Sequence, residues 1–256
     1  MSEDQRPRFV VLGASNVSRG FVSLSAHIRA AHAGPVEILA AHGRGRSFGA
    51  TSRFLWSREI VSIEASGVWR ALERRRATTN ALVCDLGNDI AYGVSADVVA
   101  SWVERTLDRL REHDARIVVV GLPLASLERL GRVRFEIARR LMFPGREMEF
   151  SKLIEEAHSL DGRVVRLAEE RRIAFVRPDG RWFGLDPIHF RLAQRDEAWR
   201  TYLDPLEFEM RVPSISMSDR IRLTRRRPEF RRLFGVNQHR EQPCVRFDDG
   251  TTVSEF

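Results

Sequence analysis

Five short apolar runs, Phe9–Leu12, Pro35–Ala41, Ala81–Leu86, Arg116–Leu122 and Ile173–Val176, alternate with longer amphipathic stretches along most of this chain. The runs are strand-length and rich in valine, isoleucine and leucine, the composition of strands buried on both faces. Between them, apolar residues return at three- and four-residue steps, as with Phe21, Leu24, Ile28 and Ala31, which end at Gly34-Pro35. That spacing is a helix with one buried face. Further helices are expected over 60–76 (interrupted by Gly67), 98–113, 126–142 (broken by Pro144-Gly145), 150–172 and up to Tyr202. Strand–helix alternation of this kind gives an α/β fold, a parallel five-stranded sheet with helices on both faces, and places functional residues at the carboxyl ends of the strands.

At 256 residues the chain accommodates one α/β domain plus an extension, and the division is expected at 1–205 and 206–256. The second segment is basic. Of the formal net charge of +7, the stretch from Arg211 to Arg240 alone carries nine arginines against Asp219 and Glu229. Lys152 is the only lysine, so the arginine excess reflects a chain-wide bias before it reflects phosphate binding. The tail Arg220–Arg232 interleaves arginine with Leu223 and Phe230, which would suit nucleic acid, an anionic surface or an acidic partner; a solvated or packed extension is the preferred reading. Val245–Val253 reads as a hairpin around Asp248-Asp249-Gly250. Cys84 and Cys244 have neither disulfide nor metal spacing, no transmembrane run is present, and the charged N-terminus lacks a signal-peptide core, so the chain is expected to be cytoplasmic.

Ser15 follows the first strand in Leu12-Gly13-Ala14-Ser15-Asn16, with Asn16 placed to cap the next helix. A hydroxyl at that junction faces the crevice beside unpaired backbone N–H groups, a setting for a nucleophile and equally for a capping serine. The second strand runs into His42-Gly43-Arg44-Gly45-Arg46-Ser47-Phe48-Gly49, the third into Gly87-Asn88-Asp89, and Asp186-Pro187-Ile188-His189 precedes the last helix. An aspartate three residues before a histidine in a tight turn can orient the imidazole towards a nucleophile. His42 is expected to find a solvent partner.

Gly13-Ala14-Ser15, Gly45, Gly87-Asn88-Asp89 and Asp186-x-x-His189, in this order and on these elements, resemble the four blocks of the SGNH (GDSL) hydrolase family over about residues 8–200. The resemblance implies a flavodoxin-like three-layer αβα fold and an esterase that cleaves a small-molecule carboxylic ester through an acyl-serine. It implies Ser15 as nucleophile, His189 as base, Asp186 as its orienting partner, and an oxyanion hole from Ser15 N–H, Gly45 N–H and the Asn88 amide. It also implies no metal and no organic cofactor. Two positions depart from the family: Ala14 stands where aspartate is usual, and Leu86 where glycine is usual.

Three other readings compete. The same site would serve an acyltransferase, and a non-catalytic relative would act only through its arginine tail. Gly45-Arg46-Ser47-Phe48-Gly49 also fits the nucleophile elbow of α/β-hydrolases, which would make Ser47 the nucleophile, although glycines separate it from the preceding strand. The sequence does not fix oligomeric state.

Overall fold

The computed structural model describes residues 6–32, 34–54, 58–131, 135, 149–209 and 211–256. Its central sheet follows from the apolar runs. Strands β1 (Arg8–Leu12), β2 (Glu37–Ala41), β5 (Thr79–Val83), β6 (Arg116–Val120) and β7 (Ala174–Val176) lie parallel in the order β2-β1-β5-β6-β7. This is the flavodoxin-like order, and it puts the ends of β1 and β5 side by side at the reversal of strand order. Alternation along β1 feeds two cores. Phe9 and Val11 pack with Phe21, Leu24 and Ile28 of α1 (Ser15–Ala31), whereas Val10 and Leu12 face the opposite side, in the core that includes Val99, Leu107, Leu160 and Val164.

That second core is covered by α2 (Val68–Glu73), α4 (Ala96–Arg111) and α6 (Phe150–Arg171). Helix α7 (Arg195–Leu203) joins α1 on the first face through Trp199 and Tyr202. Two short helices, α3 (Asn88–Ala91) and α5 (Leu124–Glu128), sit at the carboxyl edge after β5 and β6.

The sheet has seven strands rather than five. Beyond α8 (Met217–Thr224), the chain forms the hairpin β10 (Val245–Arg246) and β11 (Thr252–Glu255), and β11 docks parallel to β2. The hairpin matches the turn expected at Asp248–Gly250. Its docking has no local signature, because β11 is short and mixed in polarity and its partner lies more than 200 residues away. A separate antiparallel sheet, β3-β4-β8-β9, joins β3 (Ser52–Phe54) and β4 (Arg58–Ile60) to β8 (Phe230–Leu233) and β9 (Val236–His239). The basic extension therefore contributes strands to both sheets.

The helix expected over 60–76 is shortened to α2. Residues before it are drawn elsewhere: Ile63 N–H donates to the Ser47 carbonyl at 3.0 Å and Glu64 N–H to that of Phe48 at 3.0 Å. Of the helix expected over 126–142 and its break at Pro144-Gly145, only residues 126–131 and 135 are described; the remainder lies outside the described residues. No described helix is long and apolar enough to cross a membrane.

Candidate active site

Strand β1 ends at Leu12, and Gly13 allows the chain to turn at once into α1: a side chain there would collide with Val17 and Cys84. Ser15 is consequently the first residue of the helix and lines a cavity at the sheet's carboxyl edge. His189 reaches it from the loop between β7 and α7. Its Nε2 lies 2.9 Å from Ser15 Oγ, and its Nδ1 lies 2.6 Å from Asp186 Oδ2. The other Asp186 oxygen accepts from the backbone N–H groups of Ile188 and His189, both at 3.3 Å, which closes the turn beneath the imidazole. Arg19 stands 3.7 Å from Asp186. Burial pushes the Asp186 carboxyl up, but the His189 hydrogen bond and charge, the Ile188 N–H and Arg19 outweigh it and hold the carboxyl below its ordinary range. It is therefore ionised at neutral pH and fixes the imidazole with Nδ1 as donor.

Asp85, read from sequence as part of a strand, is the residue that seats Ser15. Its Oδ2 accepts from the N–H groups of Ala14 (3.0 Å), Asn16 (3.0 Å) and Val17 (3.3 Å). The helix start is capped from β5's end, not by Asn16. Asn16 instead ties the site together. Its Nδ2 donates to Asp85 Oδ1 and to the Ile188 carbonyl, each at 2.8 Å, while its Oδ1 accepts from Phe190 N–H at 3.0 Å. The serine helix and the histidine loop are thus bound through one amide. The sequence signal for Asp85 is a carboxylate near the end of an otherwise apolar run; in the structure it has a positive φ of 61°.

With three helix-start N–H groups taken by Asp85, that of Ser15 finds no acceptor among the described residues. Asn88 lines the same cavity; its Nδ2 lies 3.5 Å from the Arg46 carbonyl. Gly45 is not part of the cavity wall. Its φ of 71° suits glycine, and Tyr92 Oη donates to its carbonyl at 3.0 Å, so an added side chain would collide with that hydroxyl. Arg46 beside it is 1% exposed and donates to the carbonyls of His42 (3.2 Å), Ser62 (3.4 Å) and Phe256. The C-terminal strand therefore braces the loop that carries Gly45.

Ser47 is 1% exposed, and its Oγ accepts from the N–H groups of Gly49 (3.2 Å) and Ala50 (2.9 Å). It also bonds Asp89, whose carboxyl burial pushes above its ordinary range against the Ser47 and Phe48 hydrogen bonds. Ser47 organises its loop and stands on no strand-to-helix elbow. His42 is likewise buried rather than solvent-facing, with Nδ1 2.9 Å from Ser18 Oγ and its ring tilted against Phe21. Burial raises the Cys84 thiol well above its ordinary value, so it offers no thiolate beside Ser15.

No family model and no curated protein matches this chain. Among solved structures, the inhibitor-bound aryl esterase of M. smegmatis superposes with a TM-score of 0.54 at 12% identity, over 78% of this chain and 98% of that one. A carbohydrate acetylesterase family member from Sinorhizobium meliloti gives 0.53 at 15%, over 78% and 97%. The chain has the SGNH hydrolase fold. Within the SGNH frame, the expected positions Ser15, Asn88, Asp186 and His189 lie at one sheet edge, and Gly45 lies in the loop that reaches Asn88 through Arg46. Where the SGNH resemblance leads one to look for aspartate at position 14, the Ala14 N–H goes to Asp85.

The cavity beside Ser15 is about 110 Å³ and almost wholly apolar away from its mouth. Val120 and Leu122 of the sheet edge, Leu127 of α5 and Leu130 just after it, and Leu153 and Ala157 of α6 are among its wall residues. Among the described residues, no three acidic, histidine or cysteine side chains are grouped to hold a metal ion.

Proposed function

We propose that this protein is an SGNH-type serine hydrolase that cleaves carboxylic esters of an apolar acid through an acyl-serine. The observation that carries the reading is the hydrogen-bonded chain Ser15–His189–Asp186, at 2.9 and 2.6 Å, at the mouth of an apolar cavity. His189 Nε2 takes the Ser15 proton as Oγ attacks the ester carbonyl, and Asp186 stabilises the imidazolium. The Ser15 N–H, the Gly45 N–H and the Asn88 amide hold the oxyanion; each such donor is typically worth about 10²–10³ in rate. The tetrahedral adduct collapses as His189 returns the proton to the departing alcohol. Water, deprotonated by His189, then releases the acid from Ser15.

The cavity walls choose the acyl part. An apolar acyl chain displaces water without stranding a polar group, whereas a sugar or a charged acid would leave hydroxyls or charge unpaired there. By the space one water needs, about 10–15 Å³, the cavity holds on the order of seven to eleven water-sized groups, which suits a medium-length acyl chain. Across p-nitrophenyl esters from acetate to dodecanoate, kcat/KM is expected to rise roughly three- to fourfold per methylene until the cavity fills. Ala157→Leu should move the optimum to shorter chains and leave acetate turnover unchanged. Equal rates on acetate and octanoate, or an unmoved optimum in the variant, would refute the acyl assignment.

A further inference from the structure

We propose that the β8–β9 hairpin is a docking element for anionic lipid bilayers, its tip inserting among the lipids while nearby arginines engage the headgroup phosphates. The inference does not depend on the activity proposed above. Leu233 pairs with Val236, leaving a two-residue turn of Phe234 and Gly235, both with positive φ (49° and 78°). Such turns favour asparagine, aspartate or glycine at their first position, because a bulky side chain there strains the backbone. Here that position holds a phenylalanine that is 77% exposed, and the first residue after the turn, Val236, is 60% exposed. Neither side chain is part of a core. The strained aromatic is presented outward on the edge hairpin of the second sheet, with an aliphatic group beside it.

The charge around it is only partly spent within the chain. Arg222 pairs with Asp219 and Asp248, Arg226 with Glu255, and Arg232 with Glu59. Arg225, Arg227 and Arg240 are exposed and have no ion-pair partner among the described residues. Arg225 and Arg227 line one concavity with Arg231 and Leu233, the residue immediately before the turn. An apolar tip with cationic groups behind it matches the order of layers in a bilayer, acyl region beneath phosphate. A polyanion such as RNA would satisfy the arginines and could stack on Phe234, but it gives Val236 no counterpart, which favours lipid.

Each arginine near an anionic surface contributes about fivefold in partitioning, lost as salt rises. The test is co-sedimentation of the full chain with vesicles of phosphatidylcholine alone or with 30% phosphatidylglycerol, beside binding to a single-stranded RNA oligomer. Wild type is expected on the anionic vesicles and not on the neutral ones. Phe234→Asn, a residue the turn favours, should weaken vesicle binding at least tenfold with a thermal midpoint no lower than that of the wild type. Arg225→Gln with Arg227→Gln should weaken it about 25-fold. Absence of wild-type binding to anionic vesicles, undiminished binding by Phe234→Asn, or tighter binding to RNA than to vesicles would overturn the proposal.

Discussion

Replacing His189 by alanine should lower kcat/KM on the best soluble ester by about 10⁴- to 10⁶-fold while the protein keeps its fold. The imidazole is the only group hydrogen-bonded to Ser15 Oγ among the described residues, at 2.9 Å, and it is the proposed carrier of the proton in both acylation and deacylation. Its removal leaves the cavity walls and the helix-start N–H groups in place, so the loss should fall on kcat, with substrate affinity retained. The residual rate would be that of bound ester facing an unassisted hydroxyl. Steady-state kinetics together with far-UV circular dichroism measure both. A folded His189→Ala protein within tenfold of wild type would mean that another base serves Ser15.

The second large effect is expected at Asp85. Its carboxylate accepts the Ala14, Asn16 and Val17 N–H groups and one Asn16 amide hydrogen, all within 3.3 Å. Asp85→Ala leaves these donors without a partner at a buried helix start, where Ala14 and Val17 are fully enclosed. The cost should be about 2–4 kcal/mol, a fall of roughly 5–15 °C in Tm for a chain of this size. Catalysis should suffer beyond that. Asn16, freed on one side, no longer fixes the Ile188 carbonyl and the Phe190 N–H, and Ser15 and His189 lose their common reference. A displacement near 1 Å between reacting groups costs about 10²-fold, so kcat is expected to fall by that order at temperatures where the variant is fully folded. Wild-type kcat in a folded Asp85→Ala protein would show that the cap stabilises the helix without positioning the serine.

The parts legible in the sequence are those with local chemistry. Apolar runs punctuated by glycine or proline give the five core strands, and residues beyond their ends meet because a parallel sheet collects its carboxyl edges on one side. Ser15, Asn88, Asp186 and His189 are all of this kind. What stayed hidden depends on distant partners. Strand β11 carries no apolar run of its own and becomes a strand only against β2. Arg46 resembles a solvated loop arginine until the carbonyls of His42, Ser62 and Phe256 surround it. Asn16 has the identity of a helix cap, yet its amide is spent on joining two loops, and the carboxylate that takes the capping role comes from β5's end. The residue between Gly13 and Ser15 explains this displacement: alanine has no side-chain acceptor, so the carboxylate at the helix start is supplied across the sheet.

The claim that Ser15 is the nucleophile is tested most directly by mass spectrometry after exposure to a serine-reactive alkyl phosphonate, using wild type, Ser15→Ala and Ser47→Ala. A single adduct is expected on the Ser15 peptide in wild type and in Ser47→Ala, and none in Ser15→Ala. An adduct that persists in Ser15→Ala, or that disappears only in Ser47→Ala, would contradict that claim.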